Sequence, residues 1–186
     1  MSVIHFPIEY IETIALRDGT VVTIRPIRPD DAPRLQAGFL RLSPQTVYMR
    51  FLATFSELSD EQARQFATVD YHNRMAFVGA IPDAEAAPSK PPEERLIFVA
   101  RYSMVGLQEP GVAEAAVVVS DDFQNRGLGT IALDRLIRYA RLHGVTTILA
   151  TVNVSNARIL HFIQRSGLPF ERKMLEPGTW EIRIKL

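Results

Sequence analysis

The chain has 186 residues and no cysteine. That excludes a disulfide framework, a thiol nucleophile and any thiolate metal site. It has no apolar run long enough to cross a bilayer, and residues Met1 to Tyr10 lack a basic region leading into a long apolar stretch, so they do not read as a signal peptide. It has no net charge, with 21 basic against 21 acidic residues, so bulk charge gives no reason to expect a nucleic-acid or anionic-membrane partner. Its four histidines show no metal-ligand spacing, and no metal is expected. A cytoplasmic location is the default. The length and the 47% apolar content are those of one globular domain with a sizeable core.

The order of elements can be read from periodicity and turn chemistry. Residues 1–12 form a leader without a clear period, and residues 13–186 read as one domain. Thr13 to Ile24 is a hairpin turning at Asp18-Gly19. Asp30 and Asp31 are positioned to cap a helix from Ala32 to Leu42. Further helical spacing follows around Tyr48 to Phe55. Ser59 with Gln62 makes a capping box for a helix to Thr68. Met75–Ile81, Leu96–Met104 and Ala113–Val119 read as an antiparallel meander. Between its first two strands, residues 82–94 are rich in proline, alanine and charge and are expected to be mobile. A long helix, a strand at Thr146–Val152, a helix from Ala157 to Arg165 and two final strands complete a mixed sheet of six or seven strands with about four helices.

The stretch Glu114 to Gly144 holds the chemistry. An apolar strand runs into Ser120-Asp121-Asp122-Phe123, then into Gln124-Asn125-Arg126-Gly127-Leu128-Gly129-Thr130, then into an amphipathic helix. Such a bend lets backbone N–H groups approach an anion at a helix start, and Arg126 can add a guanidinium. It lacks the Gly-Lys-Ser/Thr ending of a Walker A loop and does not match Gly-x-Gly-x-x-Gly. A plain tight bend explains the glycines equally well.

The wider pattern resembles the GNAT acyltransferase superfamily. The acyl-CoA signature Gln/Arg-x-x-Gly-x-Gly/Ala is met by Gln124, Gly127 and Gly129, and Asn156 opens a helix ending at Gly167-Leu168. Thr23 to Ala32 is similar to the family's strand, Arg-Pro and Asp-Asp-Ala opening. Leu16 to Thr20, Leu42-Ser43-Pro44 with Tyr48 to Phe51, and Asp70-Tyr71 look like the acetyltransferase module of bacterial protein-lysine acetyltransferases.

The resemblance implies an α+β fold in α/β/α layers, with a mostly antiparallel sheet splayed between two parallel strands, Ala113–Val119 and Thr146–Val152. It implies acetyl-CoA as acyl donor, with the pantetheine arm in the splay. Glu114, at the strand's start, would be the general base. A backbone N–H at Val117 or Val118 would hold the oxyanion, with Val119 on the way to the pyrophosphate. Gln124 to Thr130 would cradle the phosphates, and Asn156 would hold the pantetheine arm, unless it is a simple helix cap.

Many family members carry a tyrosine on the last helix that protonates the departing thiolate, but here Ile163 stands at that position. His161 and Ser166 are nearby alternatives, as is unassisted departure of the thiolate. His72, Tyr48, Arg50 and Phe51 are candidates to line the acceptor cleft. The expected acceptor is a protein lysine side chain. A small amine such as a polyamine, amino acid or antibiotic is the second reading, and a non-catalytic CoA-binding module the third. Monomer and homodimer are equally open.

Overall fold

A computed structural model describes residues 5–83 and 94–186. In chain order its strands are β1 (Glu12–Ala15), β2 (Val21–Pro26), β3 (Arg74–Pro82), β4 (Glu94–Met104), β5 (Val112–Val119), β6 (Thr147–Asn153), β7 (Phe170–Glu176) and β8 (Thr179–Lys185). The helices are α1 (Ala32–Leu40), α2 (Pro44–Phe51), α3 (Asp60–Ala67), α4 (Leu128–Leu142) and α5 (Ala157–Arg165). The eight strands form one sheet in the order β1-β2-β3-β4-β5-β6-β8-β7. That is one or two strands more than the periodicity predicts, because both the opening hairpin and the closing one join the same sheet. Of the expected mobile segment, residues 84–93 lie outside the described residues.

Only β5 and β6 run parallel, joined by the crossover helix α4; every other neighbouring pair is antiparallel. The two faces of the sheet are covered by different helices. Phe77 on β3 and Tyr139 on α4 meet edge-to-face at 5.6 Å, and Tyr10 packs against both rings. The segment before β1 therefore runs against the α4 side. On the other face lie α1, α2 and α3, where Phe39, Phe51 and Phe55 cluster at 4.9–5.9 Å. The glycine at position 79 is needed for packing: a Cβ there would come within 2.2 Å of the Phe98 ring, next to the β-bulge between Gly79 and Ala80.

The helix starts show which local signals survive folding. Ser59 and Gln62 make the expected capping box of α3, and Ser43 caps α2 through the Thr46 N–H. Asp31 departs from expectation. It makes no side-chain cap for α1, because its carboxylate is buried and accepts both arms of Arg25, at 2.7 and 2.8 Å. It also accepts the Arg28 N–H at 2.8 Å, and Arg25 reaches Glu94 at 2.7 Å. A buried guanidinium is a more demanding partner than a helix end exposed to water. Burial alone would raise the Asp31 pKa, but the hydrogen bonds from Arg25 and Arg28 outweigh it and hold the carboxyl below its ordinary value.

Candidate active site

The site begins where the sheet parts. Parallel pairing of β5 with β6 covers only Val112 with Thr147, Ala113 with Ile148, and Glu114 with Leu149. Past Glu114 the strands separate, and β6 continues against β8 as far as Asn153. The gap is a narrow apolar slot of about 90 Å³, walled by Ala115 and Val117 from β5, Ala150 and Val152 from β6, and Asn156 and Phe162 from the α5 side.

The backbone of β5 presents donors to that slot. The Val105 N–H reaches Val112 O at 3.0 Å, and the Ser120 N–H reaches Ile97 O at 2.8 Å. Backbone polar groups alternate sides along a strand. Residues 112, 114, 116, 118 and 120 are therefore turned to β4, and 113, 115, 117 and 119 to the β6 side. The Val119 carbonyl agrees, since it accepts the Gln124 Nε2 at 3.1 Å. Of the two expected oxyanion donors, the Val118 N–H is thus committed to the ladder with Val99. The Val117 N–H faces the slot.

At the far end of β5 the bend enters α4. Asn125 and Gly127 both adopt left-handed backbone, with φ of 61° and 83°. Gly127 is the N-cap of α4 and supplies no side chain, so the N–H groups of Leu128, Gly129 and Thr130 find no acceptor among the described residues. Such open donors, with the helix dipole behind them, favour an anion. Gly129 has a different meaning: a Cβ there would sit at an ordinary 3.8 Å from Val119 Cγ2. The fold alone does not require glycine at that position, whereas close approach of a ligand would.

Arg126 is paired with Asp18 of the β1–β2 turn and stacks over Phe123 at 4.8 Å. Gln124 is a brace: besides Val119 O, it bonds Thr46 Oγ1 at 3.1 Å, and Arg158 of α5 donates to its Oε1. Beside the bend lies a basic cleft of about 1090 Å³, into which Arg17, Arg126, Arg158, Arg165 and His161 face. Sequence reasoning singled out Arg126 and His161 there but missed the other three arginines, which come from β1–β2 and α5 and share no motif.

Asn156 caps α5 through its Oδ1, which accepts the Ile159 N–H at 3.3 Å, and it also borders the slot. Ile163 is buried and lines the slot as well. Ser166 donates to Ile163 O at 2.7 Å and accepts the Leu168 N–H, so its hydroxyl is occupied in ending the helix. His72 is exposed and sits edge-on to His143 at 6.1 Å.

Glu114 is exposed, on the α1–α3 face of the sheet. Directly paired residues share a face, so Glu114, Ser103 and Arg74 form one row across β5, β4 and β3. Arg101 stands one alternation along, opposite Ala116. Arg50 of α2 is within electrostatic reach of Glu114: burial lowers the Arg50 pKa, and the Glu114 charge opposes that shift. Arg50 borders both the slot and a second cavity on this face. Sequence reasoning named Arg50 but missed Arg74 and Arg101. The available signal was a charge inside an otherwise apolar strand, Phe98-Val99-Ala100-Arg101-Tyr102.

A sheet splayed at one parallel pair, with open donors on one strand and an uncapped helix behind it, is the architecture of acyl-CoA-dependent N-acyltransferases. Residues 40–168 match the acetyltransferase (GNAT) family. The chain belongs to that family and is an acetyl-CoA-dependent acetyltransferase. It is 33% identical over 142 residues to the acetyltransferase PA5475 of Pseudomonas aeruginosa, spanning 76% of this chain and 72% of that one. It is 28% identical over 171 residues to the acetyltransferase Pat of Mycolicibacterium smegmatis, spanning 92% of this chain. There it covers about half of the relative, 48% of its length.

Among solved structures, the GNAT domain of S. lividans PAT superposes with a TM-score of 0.81 at 24% identity, over 98% of this chain and 100% of that one. The PaiA N-acetyltransferase of Thermoplasma acidophilum, solved with coenzyme A, matches with a TM-score of 0.62 at 13% identity, over 89% of this chain and 99% of that one. These likenesses carry the fold.

The features of this chain fit acetyl-CoA as acyl donor. The slot is slender and apolar, as a pantetheine arm requires. The unsatisfied N–H groups at α4 and the basic cleft beyond them suit the phosphates. Among the described residues no cluster of side chains could hold a metal ion, and no helix is long and apolar enough to cross a membrane.

Proposed function

We propose that the chain acetylates a primary amine by direct attack on the thioester, with a protein lysine side chain as acceptor in a cytoplasmic setting. The observation that carries this reading is the position of Glu114, the last β5 residue paired to β6 before the strands part. Glu114 lies on an exposed face, where the strands begin to part, which supports access by a side chain from a folded partner. A lysine-type amine is mostly protonated at neutral pH. Glu114 takes its proton, directly or through water, and leaves the nitrogen lone pair free.

The nitrogen then bonds to the acetyl carbon, the carbon–sulfur bond breaks with its electron pair going to the CoA thiolate, and the nitrogen's second proton passes to that thiolate or to water as the amide forms. The Val117 N–H donates to the carbonyl oxygen as charge gathers there. Leu128, Gly129 and Thr130 hold the pyrophosphate end through their N–H groups, with Arg126 beside them and Asn125 shaping the turn. Asn156 and the Val119 backbone position the pantetheine arm. Gln124 acts as a positioning residue that fixes the β5 end against α2 and α5. With Ile163 in the family's usual tyrosine position, Ser166 occupied, and His161 lining the basic cleft rather than the slot, the thiolate leaves unassisted or takes a proton from water. A thiol with an ordinary pKa near 8.5 leaves without help.

The test is release of free CoA from acetyl-CoA with a lysine peptide. Glu114→Gln is expected to lower the rate on the order of 10²–10⁴-fold, while binding of CoA, followed by calorimetry, is retained. Unchanged turnover in this variant would overturn the assignment. A small-molecule acceptor replaces protein lysine if a polyamine or free amino acid is turned over and lysine peptides are not.

A further inference from the structure

Among the described residues, the face around Glu114 carries more positive than negative charge. Arg74 and Arg101 project from adjacent strands on the same face as Glu114, and Arg50 approaches from α2. Arg101 lies over the Phe66 ring at 4.7 Å and Arg50 over Phe51 at 4.5 Å. Among the described residues none of the three side chains makes an ion pair or a hydrogen bond. Arg34, at the edge of the same cavity, differs in reaching Asp31 at 3.3 Å. The cavity has about 70 Å³ of room, with Arg50 and Arg101 in its wall and Val99 and Val118 in its floor. That is a few times the volume of one water molecule, about 30 Å³, and suits a short side chain.

From this arrangement we infer that the acceptor is a primary amine accompanied by a carboxylate, which Arg50 and Arg101 receive while Arg74 guards the rim. The inference rests on the acetyl-transfer reading with Glu114 as base. Guanidinium groups are held on aromatic rings with their donor edges free, the geometry that takes a carboxylate in a fork. Half-burial of three like charges beside a single carboxylate is costly, and a bound anion relieves it. The strain is visible in Arg101, whose pKa burial pulls down to about 10, with Arg50 and Arg74 adding to the shift. It remains positive at neutral pH.

The CoA phosphates do not account for the cluster. They belong beyond Val119, five residues from Glu114 along β5 and so about 16 Å away. A lone Glu114 amid three arginines also does not attract a bare cationic amine. A neighbouring carboxylate supplies that attraction and places the amine over Glu114.

Two sources carry this chemistry: an acidic residue beside a protein lysine, or the acceptor's own carboxylate in a small amino acid. The experiment measures CoA release with two matched pairs. One is a lysine peptide with flanking aspartates against the same peptide with asparagines. The other is an ω-amino acid against its primary amide. The carboxylate member of at least one pair is expected to win by about tenfold or more in kcat/KM. The pair with the larger ratio identifies the source. Arg101→Met should shrink that ratio towards one, and raising salt should shrink it in the unmodified protein, which needs no variant to fold. Turnover without preference, or with preference for the neutral member, overturns the inference and leaves acetyl transfer standing. No CoA release from any acceptor overturns both together.

Discussion

Two of the arginine clusters on this domain differ in what surrounds them. Arg25 is enclosed by Asp31 and Glu94, which take both terminal nitrogens of its guanidinium, while its buried Nε has no hydrogen-bond partner among the described residues. Arg50, Arg74 and Arg101 share a face with Glu114 and have no ion-pair partner among the described residues. The first cluster closes on itself and ties the end of β2 to the start of α1 and to β4. The second leaves its donors pointing at space. A charge satisfied internally belongs to the fold; one left open beside a carboxylate and a slot belongs to binding.

The contrast breaks most sharply at Asp31. Replacing Asp31 with alanine strands a buried guanidinium, and the expected loss is about 3–5 kcal/mol of stability, measured by denaturant unfolding. The same pair sets an acid limit. The Asp31 pKa is lowered on folding, so its stabilisation is fully present above the ordinary carboxylate range. It is lost as pH falls through the depressed folded value, on the acid side of about pH 4. The midpoint of acid unfolding should move to higher pH in Asp31→Asn.

The open cluster should respond in the opposite sense. Arg101→Met removes a half-buried, uncompensated cation and keeps most of its volume, so the melting temperature should stay level or rise. A fall comparable to that of Asp31→Ala would show that Arg101 has a structural partner after all, and would erase the distinction between the clusters. A destabilisation smaller than at Asp31 is expected at the bend. Gly127→Ala keeps the space free but forces a side chain into left-handed backbone, costing about 1–2 kcal/mol in thermal unfolding. A larger loss of CoA affinity than of stability would separate the anion site from the turn that builds it.

The legible part of the chain was whatever local chemistry decides. The capping box at Ser59, the strand at Ala113–Val119, the turn at Gly127 and the helix behind it all follow from neighbours within a few residues, and each appears in the structure. Asp31 was misread for the same reason: locally it resembles a cap, but its carboxylate is taken by Arg25 on β2, which is itself held by Glu94, 69 positions from Arg25. Arg74 and Arg101 were passed over because a single arginine at or within a strand carries no pattern. They matter only in register, where β3, β4 and β5 bring them to one face with Glu114.

The sequence by itself determined the kind of protein. An apolar strand feeding Gln124, Gly127 and Gly129 into a helix indicates at most an anion site, because phosphate binding at a helix start depends on contiguous backbone; the acyl-CoA reading comes from the resemblance of that stretch, with Asn156 and the Thr23 to Ala32 opening, to the family. Tertiary structure alone decided which β5 donor faces the slot, since that depends on where pairing with β4 begins and where pairing with β6 stops. It also decided that the cations around Glu114 have no ion-pair partner among the described residues. Whether a charge is satisfied depends on every strand and helix that packs near it, and no short stretch of sequence holds that information.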